Sequence, residues 1–208
     1  MECLFLAFNV VFMSSSTKTW LIVLGILLIL GGMVGCGYNG MVTRQEKVEN
    51  AWANVETNYQ RRADLIPNLV NTVKGAAEFE QETLTKVIEA RAAATSIKLD
   101  PKDLTPENIQ KFQQAQDQLS GALSRLLVTV ERYPDIKFNQ NFRDLQVQLE
   151  GTENRIAIAR KDFNDAVMAY NAHIRRFPNN ILAGIFGFEK RGYFEAAEGA
   201  EKAPEVKF

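Results

Sequence analysis

The chain of 208 residues is long enough for one ordinary domain with appendages and too short for two large ones. With 24 Lys and Arg against 25 Asp and Glu, the net charge of -1 gives no general electrostatic reason to bind nucleic acid, and no nucleic-acid partner is expected. One histidine, His173, and two cysteines, Cys3 and Cys36, leave almost no material for a zinc site, a histidine-based triad or a disulfide framework, so no metal, cofactor or catalytic residue is expected.

In chain order the first element is an apolar piece, residues 3–13, too short to cross a bilayer alone and followed by polar residues 14–19. Translation from Met13 would give a short lead, Met-Ser-Ser-Ser-Thr-Lys, before the next apolar run, the layout of a signal or anchor; residues 1–12 are then a start-site artefact. Residues 19–43 carry no charge, and residues 20–38 are dominated by Leu, Ile, Val and Gly. At about 1.5 Å per residue this run reaches about 28 Å, close to the hydrocarbon thickness of a bilayer. Trp20 and Tyr38 stand at its edges, where amphipathic rings favour the headgroup zone. A buried soluble helix is the competing reading; the length of the run and its place at the N-terminal end of a charged chain favour a span.

Met33-Val34-Gly35-Cys36 is close to the small-residue lipobox read by bacterial signal peptidase II, with Met in place of the usual Leu. Two fates follow: cleavage with acylation of Cys36, the lipidation candidate, or retention as a transmembrane helix, which is preferred. Lys18 on one flank is balanced by Arg44 and Lys47 on the other, so charge does not choose the side of the membrane. Gly35, Gly37 and Gly40 spell a formal Gly-x-Gly-x-x-Gly, but they follow an apolar span rather than a strand, and the dinucleotide reading is rejected. Small residues there allow close helix contact or flexibility at the membrane exit.

Beyond Met41 the sequence runs in alternating steps of three and four. The first stripe is Met41, Gln45, Val48, Trp52, Val55, Tyr59, Arg62, Ile66, Leu69 and Val73, apolar except at Gln45 and Arg62. Pro67 lies inside it, and because the phase holds on both sides a kink is expected rather than an end. A weaker helix over residues 80–96 puts Leu84, Val87 or Ile88, Arg91 and Ala94 on one face, after a bend at residues 75–79. Residues 100–105 read as a loop ending in Thr105 as N-cap with Pro106 at the first helical position. The third stripe is Ile109, Phe112, Gln116, Leu119, Leu123, Leu126, Val130 and Tyr133, closed by Pro134. The fourth is Phe142, Leu145, Leu149, Thr152, Ile156, Ala159, Phe163, Ala166, Tyr170, His173 and Phe177, with Arg175 and Arg176 suited to a helix C-terminus. No segment alternates with period two over a strand length. The expectation is an all-α fold: an N-terminal membrane helix followed by an extended antiparallel bundle of three to four long, coiled-coil-like helices.

Several short motifs stand out along these helices. They are Tyr38-Asn39-Gly40-Met41-Val42, Ala51-Trp52-Ala53-Asn54-Val55, the run Tyr59-Gln60-Arg61-Arg62-Ala63-Asp64-Leu65-Ile66-Pro67-Asn68-Leu69-Val70, and Val73-Lys74-Gly75. Further on come Glu131-Arg132-Tyr133-Pro134, Tyr170-Asn171, Phe177-Pro178-Asn179-Asn180, Tyr193-Phe194-Glu195-Ala196 and Ala203-Pro204. On these the chain resembles the LemA family of bacterial membrane proteins from Tyr38 to its end. The resemblance implies an N-terminal membrane anchor and a long helical bundle, and brings no catalytic residues with it.

The expected organisation is an N-terminal segment (1–18), an anchor or lipoprotein signal (19–40), a helical bundle (41–178) and an aromatic-rich tail (179–208). Di-iron bundles need Glu-x-x-His pairs facing inward, and the sequence has none. His173 is read as a hydrogen-bonded core-edge residue rather than a pH sensor. Polar residues inside the stripes, Gln45, Arg62, Gln116 and Thr152, are read as register-fixing groups. The alternative gathers Arg61, Arg62, Asp64 and Asn68 into a recognition patch beside Pro67, where arginine suits forked bonds to carboxylate or phosphate. Phe186, Phe188, Tyr193 and Phe194 are candidates for docking a partner, because so much apolar tail needs cover from the bundle, a second subunit, another protein or a membrane. The functional expectation is a membrane-anchored scaffold or adaptor of the bacterial envelope. Its partners would be membrane lipid, further copies of itself or other envelope proteins, and its place the cell (inner) membrane, single-pass or lipid-anchored. An envelope enzyme or enzyme cofactor, or a ligand sensor, using Arg61, Arg62 and Asp64 is the alternative.

Overall fold

The computed structural model describes residues 15–75 and 79–195. Expectations about residues 3–13 and the Met13 start, most of the bend at 75–79, and the part of the tail after Glu195 lie outside the described residues. The fold is all-α. Among the described residues there is no strand, and the elements are α1 (Ser15–Lys74), α2 (Gln81–Ser96), a 3-10 turn (Pro101–Asp103), α3 (Pro106–Val130), a one-turn α4 (Pro134–Lys137), α5 (Gln140–Arg175) and α6 (Asn179–Phe186).

Local signals account for the boundaries. Thr105 caps α3, its hydroxyl accepting from the Asn108 N–H at 3.3 Å, and Pro106 takes the first helical position. Asp100 does the same for the 3-10 turn, accepting from the Lys102 N–H at 2.9 Å. Pro134 was expected to close the third helix. The helix instead stops at Val130, and Pro134 opens α4, the place where its missing N–H does no harm. Gly187 ends α6 at φ 73°, a left-handed position suited to glycine, and the Phe188 N–H reaches back to the Ala183 carbonyl at 2.9 Å.

The described chain divides into two compact units: residues 15–43 with His173–Glu189, and Arg44–Ala172 with residues 190–195. In the first unit α1 exposes Trp20, Leu21, Ile22, Leu24, Ile26, Leu27, Leu28 and Ile29. The helix is long and apolar enough there to cross a membrane, by length and composition. Farther along, α6 packs on the turn of α1 that holds Gly37 and Tyr38.

The second unit is a helical bundle whose directions follow from its contacts. Trp52 meets Phe163 while Arg62 meets Glu153, so α1 and α5 run antiparallel. Trp52 meets Phe112 while Arg62 meets Gln116 and Ser120, so α1 and α3 run parallel. Gln116 meets Ala94 while Arg132 meets Glu80, so α3 runs antiparallel to α2. The up-down-up-down order is the one short connections favour.

Burial follows the α1 and α3 stripes closely: Val48, Trp52, Val55, Tyr59, Arg62, Ile66, Leu69 and Val73 are buried, as are Ile109, Phe112, Gln116, Leu119, Leu123, Leu126 and Val130. On α2, Val87 rather than Ile88 takes the inner position. On α5 the expected phase slips. Val167 and Ile174 are buried where Ala166 and His173 were expected, and Phe177 is 80% exposed. A strict 3.5-residue repeat drifts by about 20° per heptad on a helix of 3.6 residues per turn, and after several heptads the inner face has moved on by one residue.

Candidate functional site

Two of the buried polar side chains of the bundle, Arg62 and Gln116, meet in one network. Arg62, only 1% exposed, donates from Nη1 to Ser120 Oγ and Glu153 Oε1, both at 2.7 Å, and from Nη2 to Gln116 Oε1 at 2.6 Å and the Gln116 carbonyl at 3.2 Å. Its guanidinium also lies 5.0 Å from the centre of the Tyr59 ring, a cation–π contact. Gln116 Nε2 continues the chain to the Ala94 carbonyl at 3.3 Å, and Arg91 Nε donates to the Ala63 carbonyl at 2.7 Å. Arg62 thereby ties α1 to α3 and α5, and Gln116 and Arg91 bring in α2. Arg62 Nε is buried without a partner. Thr152, the stripe threonine of α5, turns back to the Gln148 carbonyl at 2.8 Å, a local bond.

The expected patch is therefore divided among different surfaces. Arg62 points inward. Arg61 and Asp64 line a groove of about 730 Å³ between α1, the end of α2 and α3, floored by Tyr59, Phe112 and Leu119 and rimmed also by Lys98. Asp64 accepts from Gln60 Nε2 at 2.7 Å. Asn68, one turn on, lines a separate shallow groove with Asn71, Asn141 and Asp144. Glu56, at the edge of the larger groove, has its carboxyl pushed above the ordinary value of 4.5 by burial, an effect opposed by the Trp52 indole, although no bond of full hydrogen-bond geometry reaches that indole nitrogen. Burial likewise raises the Tyr59 phenol, against the pull of Arg160 and Arg62, so the ring faces the groove uncharged.

The aromatic docking candidates also separate. Phe194 is 5% exposed and sits inside the bundle, stacked 6.2 Å from Trp52 and edge-on to Phe163 at 5.4 Å, with the Arg160 guanidinium 4.8 Å from its ring centre. It is a core residue and has no face left for a partner. Tyr193 is half exposed, its hydroxyl accepting from Asn171 Nδ2 at 3.2 Å. Phe186 and Phe188 lie in the other unit, edge-on to Tyr38.

What draws Phe194 inward is a device that the stripes do not reveal. Residues 190–195 belong to no helix or strand, and three side-chain amides from the helices pair with their backbone as a neighbouring strand would. Asn171 gives Nδ2 to the Arg191 carbonyl and accepts its N–H through Oδ1, at 2.9 and 3.0 Å. Asn164 does the same for Phe194, at 2.9 and 2.9 Å, and Gln113 for Glu195, at 3.1 and 3.0 Å. The Gly192 N–H donates to the Leu104 carbonyl at 2.9 Å, and a Cβ on Gly192 would lie 2.7 Å from Pro106 Cα, so only glycine admits this approach. Asn164 and Gln113 carry no stripe signal. Asn171 appeared only in the Tyr170-Asn171 motif. Cys36, the lipidation candidate, is exposed on α1. Among the described residues no group of three or more His, Cys, Asp or Glu is placed to hold a metal ion.

These features define a class: an all-α bundle continued from a helix apolar and long enough for a bilayer, with a buried arginine held by side chains of its own helices. The model of the LemA family matches residues 51–208, and the chain belongs to the LemA family, whose members are membrane-associated. Similar proteins include magnetosome protein MamQ 2 of Paramagnetospirillum magneticum, 30% identical over 175 residues, which cover 76% of this chain and 64% of that protein. Magnetosome protein MamQ of Magnetospirillum gryphiswaldense is 28% identical over 174 residues, covering 76% and 64%. Protein LemA of Metamycoplasma hominis is 23% identical over 160 residues, covering 77% and 69%. The chain thus spans less than two thirds of the length of the MamQ relatives. None of these names denotes an enzyme.

Proposed function

We propose that this protein is a membrane-anchored helical adaptor of the bacterial envelope that works by holding another protein, or further copies of itself, and performs no catalysis. The observation that carries the reading is the groove at Arg61 and Asp64. Its floor of Tyr59, Phe112 and Leu119 under a charged rim has the anatomy of a protein-binding patch, apolar at the centre and polar at the edge. The buried cation that could have served chemistry is spent inside the fold, because Arg62 is held by Gln116, Ser120 and Glu153. The anchor is the uncharged run of α1, retained as a span of the cell membrane.

Charge reversal at the groove rim tests this. Arg61→Glu and Asp64→Lys change exposed side chains, so melting and helicity stay as they are, while crosslinked species of the solubilised full chain diminish. Undiminished crosslinking in both variants counts against the groove as the docking surface.

A further inference from the structure

One face of α6 is committed to α1. The space left by the absent side chain of Gly37 is taken by Leu182 and Asn179, whose nearest atoms would stand 2.8 and 3.0 Å from a Cβ there. Phe186 and Phe188 meet the Tyr38 ring edge-on at 5.1 and 5.7 Å, and Ala183 is buried. At its start α6 is tied to the end of α5, Asn179 Nδ2 lying 3.3 Å from the His173 carbonyl. The opposite face is bare. Ile181 and Ile185, one turn apart, are 55% and 69% exposed, and Phe177 just before the helix is open too.

The level at which α6 is fixed decides what can cover that face. Gly37 and Tyr38 form the last turn of the apolar run that begins at Trp20, and the first charge beyond them is Arg44. A span of about 28 Å from Trp20 ends there, with Tyr38 at the depth where aromatic rings meet headgroups. A short helix held at this turn, apolar on its outer side, lies where headgroups meet acyl chains, as interfacial helices do. Arg175 and Arg176, both exposed, come a few residues before it and suit anionic headgroups. Glu189 follows only after the helix has been closed at Gly187.

We propose that α6 is an interfacial helix whose Ile181 and Ile185 face is covered by the lipid surface, with Gly37 left bare of a side chain so that α6 can be held against the base of the span. The occupant is lipid because the bare apolar face is held at the end of the apolar run of α1. The inference rests on the membrane anchor of the proposed function and is independent of the groove.

The test is photocrosslinking of the full-length protein in vesicles of phosphatidylethanolamine and phosphatidylglycerol. One sample carries Ile185→p-benzoylphenylalanine. A second carries Leu27→p-benzoylphenylalanine, at an exposed position inside the span. Both side chains point away from packed surfaces, so neither change burdens the fold. Lipid adducts at both positions, in comparable yield, are expected. Lipid adducts at 27 alone, or a protein–protein link at 185, overturn the proposal while the span stands. Adducts at neither position overturn both, and adducts at 185 alone support the interfacial helix with an anchor other than the span.

Discussion

A buried guanidinium is costly unless its donors are matched, and at Arg62 the matching is uneven in a way that can be measured. Glu153 carries the formal counter-charge but is 46% exposed, so water screens that bond. Gln116 is neutral but buried with it. Glu153→Gln should therefore cost under about 1 kcal/mol, whereas Gln116→Leu, which strands a buried charged donor, should cost roughly 3 kcal/mol. Urea midpoints of the detergent-solubilised chain give the order, and a larger loss at Glu153 would contradict this account of the network. The raised Glu56 carboxyl gives a pH test. The folded state holds its proton more tightly than the unfolded chain, so its favourable contribution is complete below 4.5 and is lost as pH rises through the higher folded value. Glu56→Gln should raise the melting temperature at neutral pH, with the gain closing as pH falls below 4.5; a constant gain across that window would refute the burial effect. The sequence marked Arg62 and Gln116 as polar positions in apolar stripes. It did not mark Ser120 or Glu153, because both sit off the stripes and meet Arg62 only once the helices are packed.

Among the elements, the inward faces of α1 and α3 were legible, since an amphipathic period is a property of the chain alone, although α3 ends at Val130, short of the expected stop at Pro134. The late part of α5 was not, because which residue faces inward after several heptads depends on whether the helix supercoils or stays near 3.6 residues per turn. The segment 190–195 was the least legible. Its Phe194 looked like a surface aromatic because the amides that seat it are scattered over α3 and α5. Phe194→Ala should cost roughly 3–5 kcal/mol, the range for emptying a packed aromatic site. Asn171→Ala, which leaves both backbone groups of the buried Arg191 without these partners, should cost on the order of 3 kcal/mol and speed proteolysis within 190–195. Midpoints and cleavage rates equal to those of the natural chain would show that the segment is a loose tail. The cap of α3 is a smaller matter: Thr105→Ala should cost about 1 kcal/mol.

For the molecule as a whole, the family and the all-α class could be read from motifs and periodicity; the family match over residues 51–208 bears out the first and the helical fold the second. The proposed docking surface could not be read, because of residues adjacent in sequence Arg61 is exposed and Arg62 buried, and residues far apart, Asp64 and Lys98, share a groove. Helical period shows which side is inside and leaves open which part of the outside is used. The central claim is that the anchored bundle functions by assembly. Native mass determination of the complete protein extracted from its own membrane tests it most directly. The account predicts a species heavier than one chain, containing further copies or a protein bound in defined ratio, and lightened by Arg61→Glu or Asp64→Lys. A single chain with nothing bound, at every detergent and protein concentration tried, would contradict it.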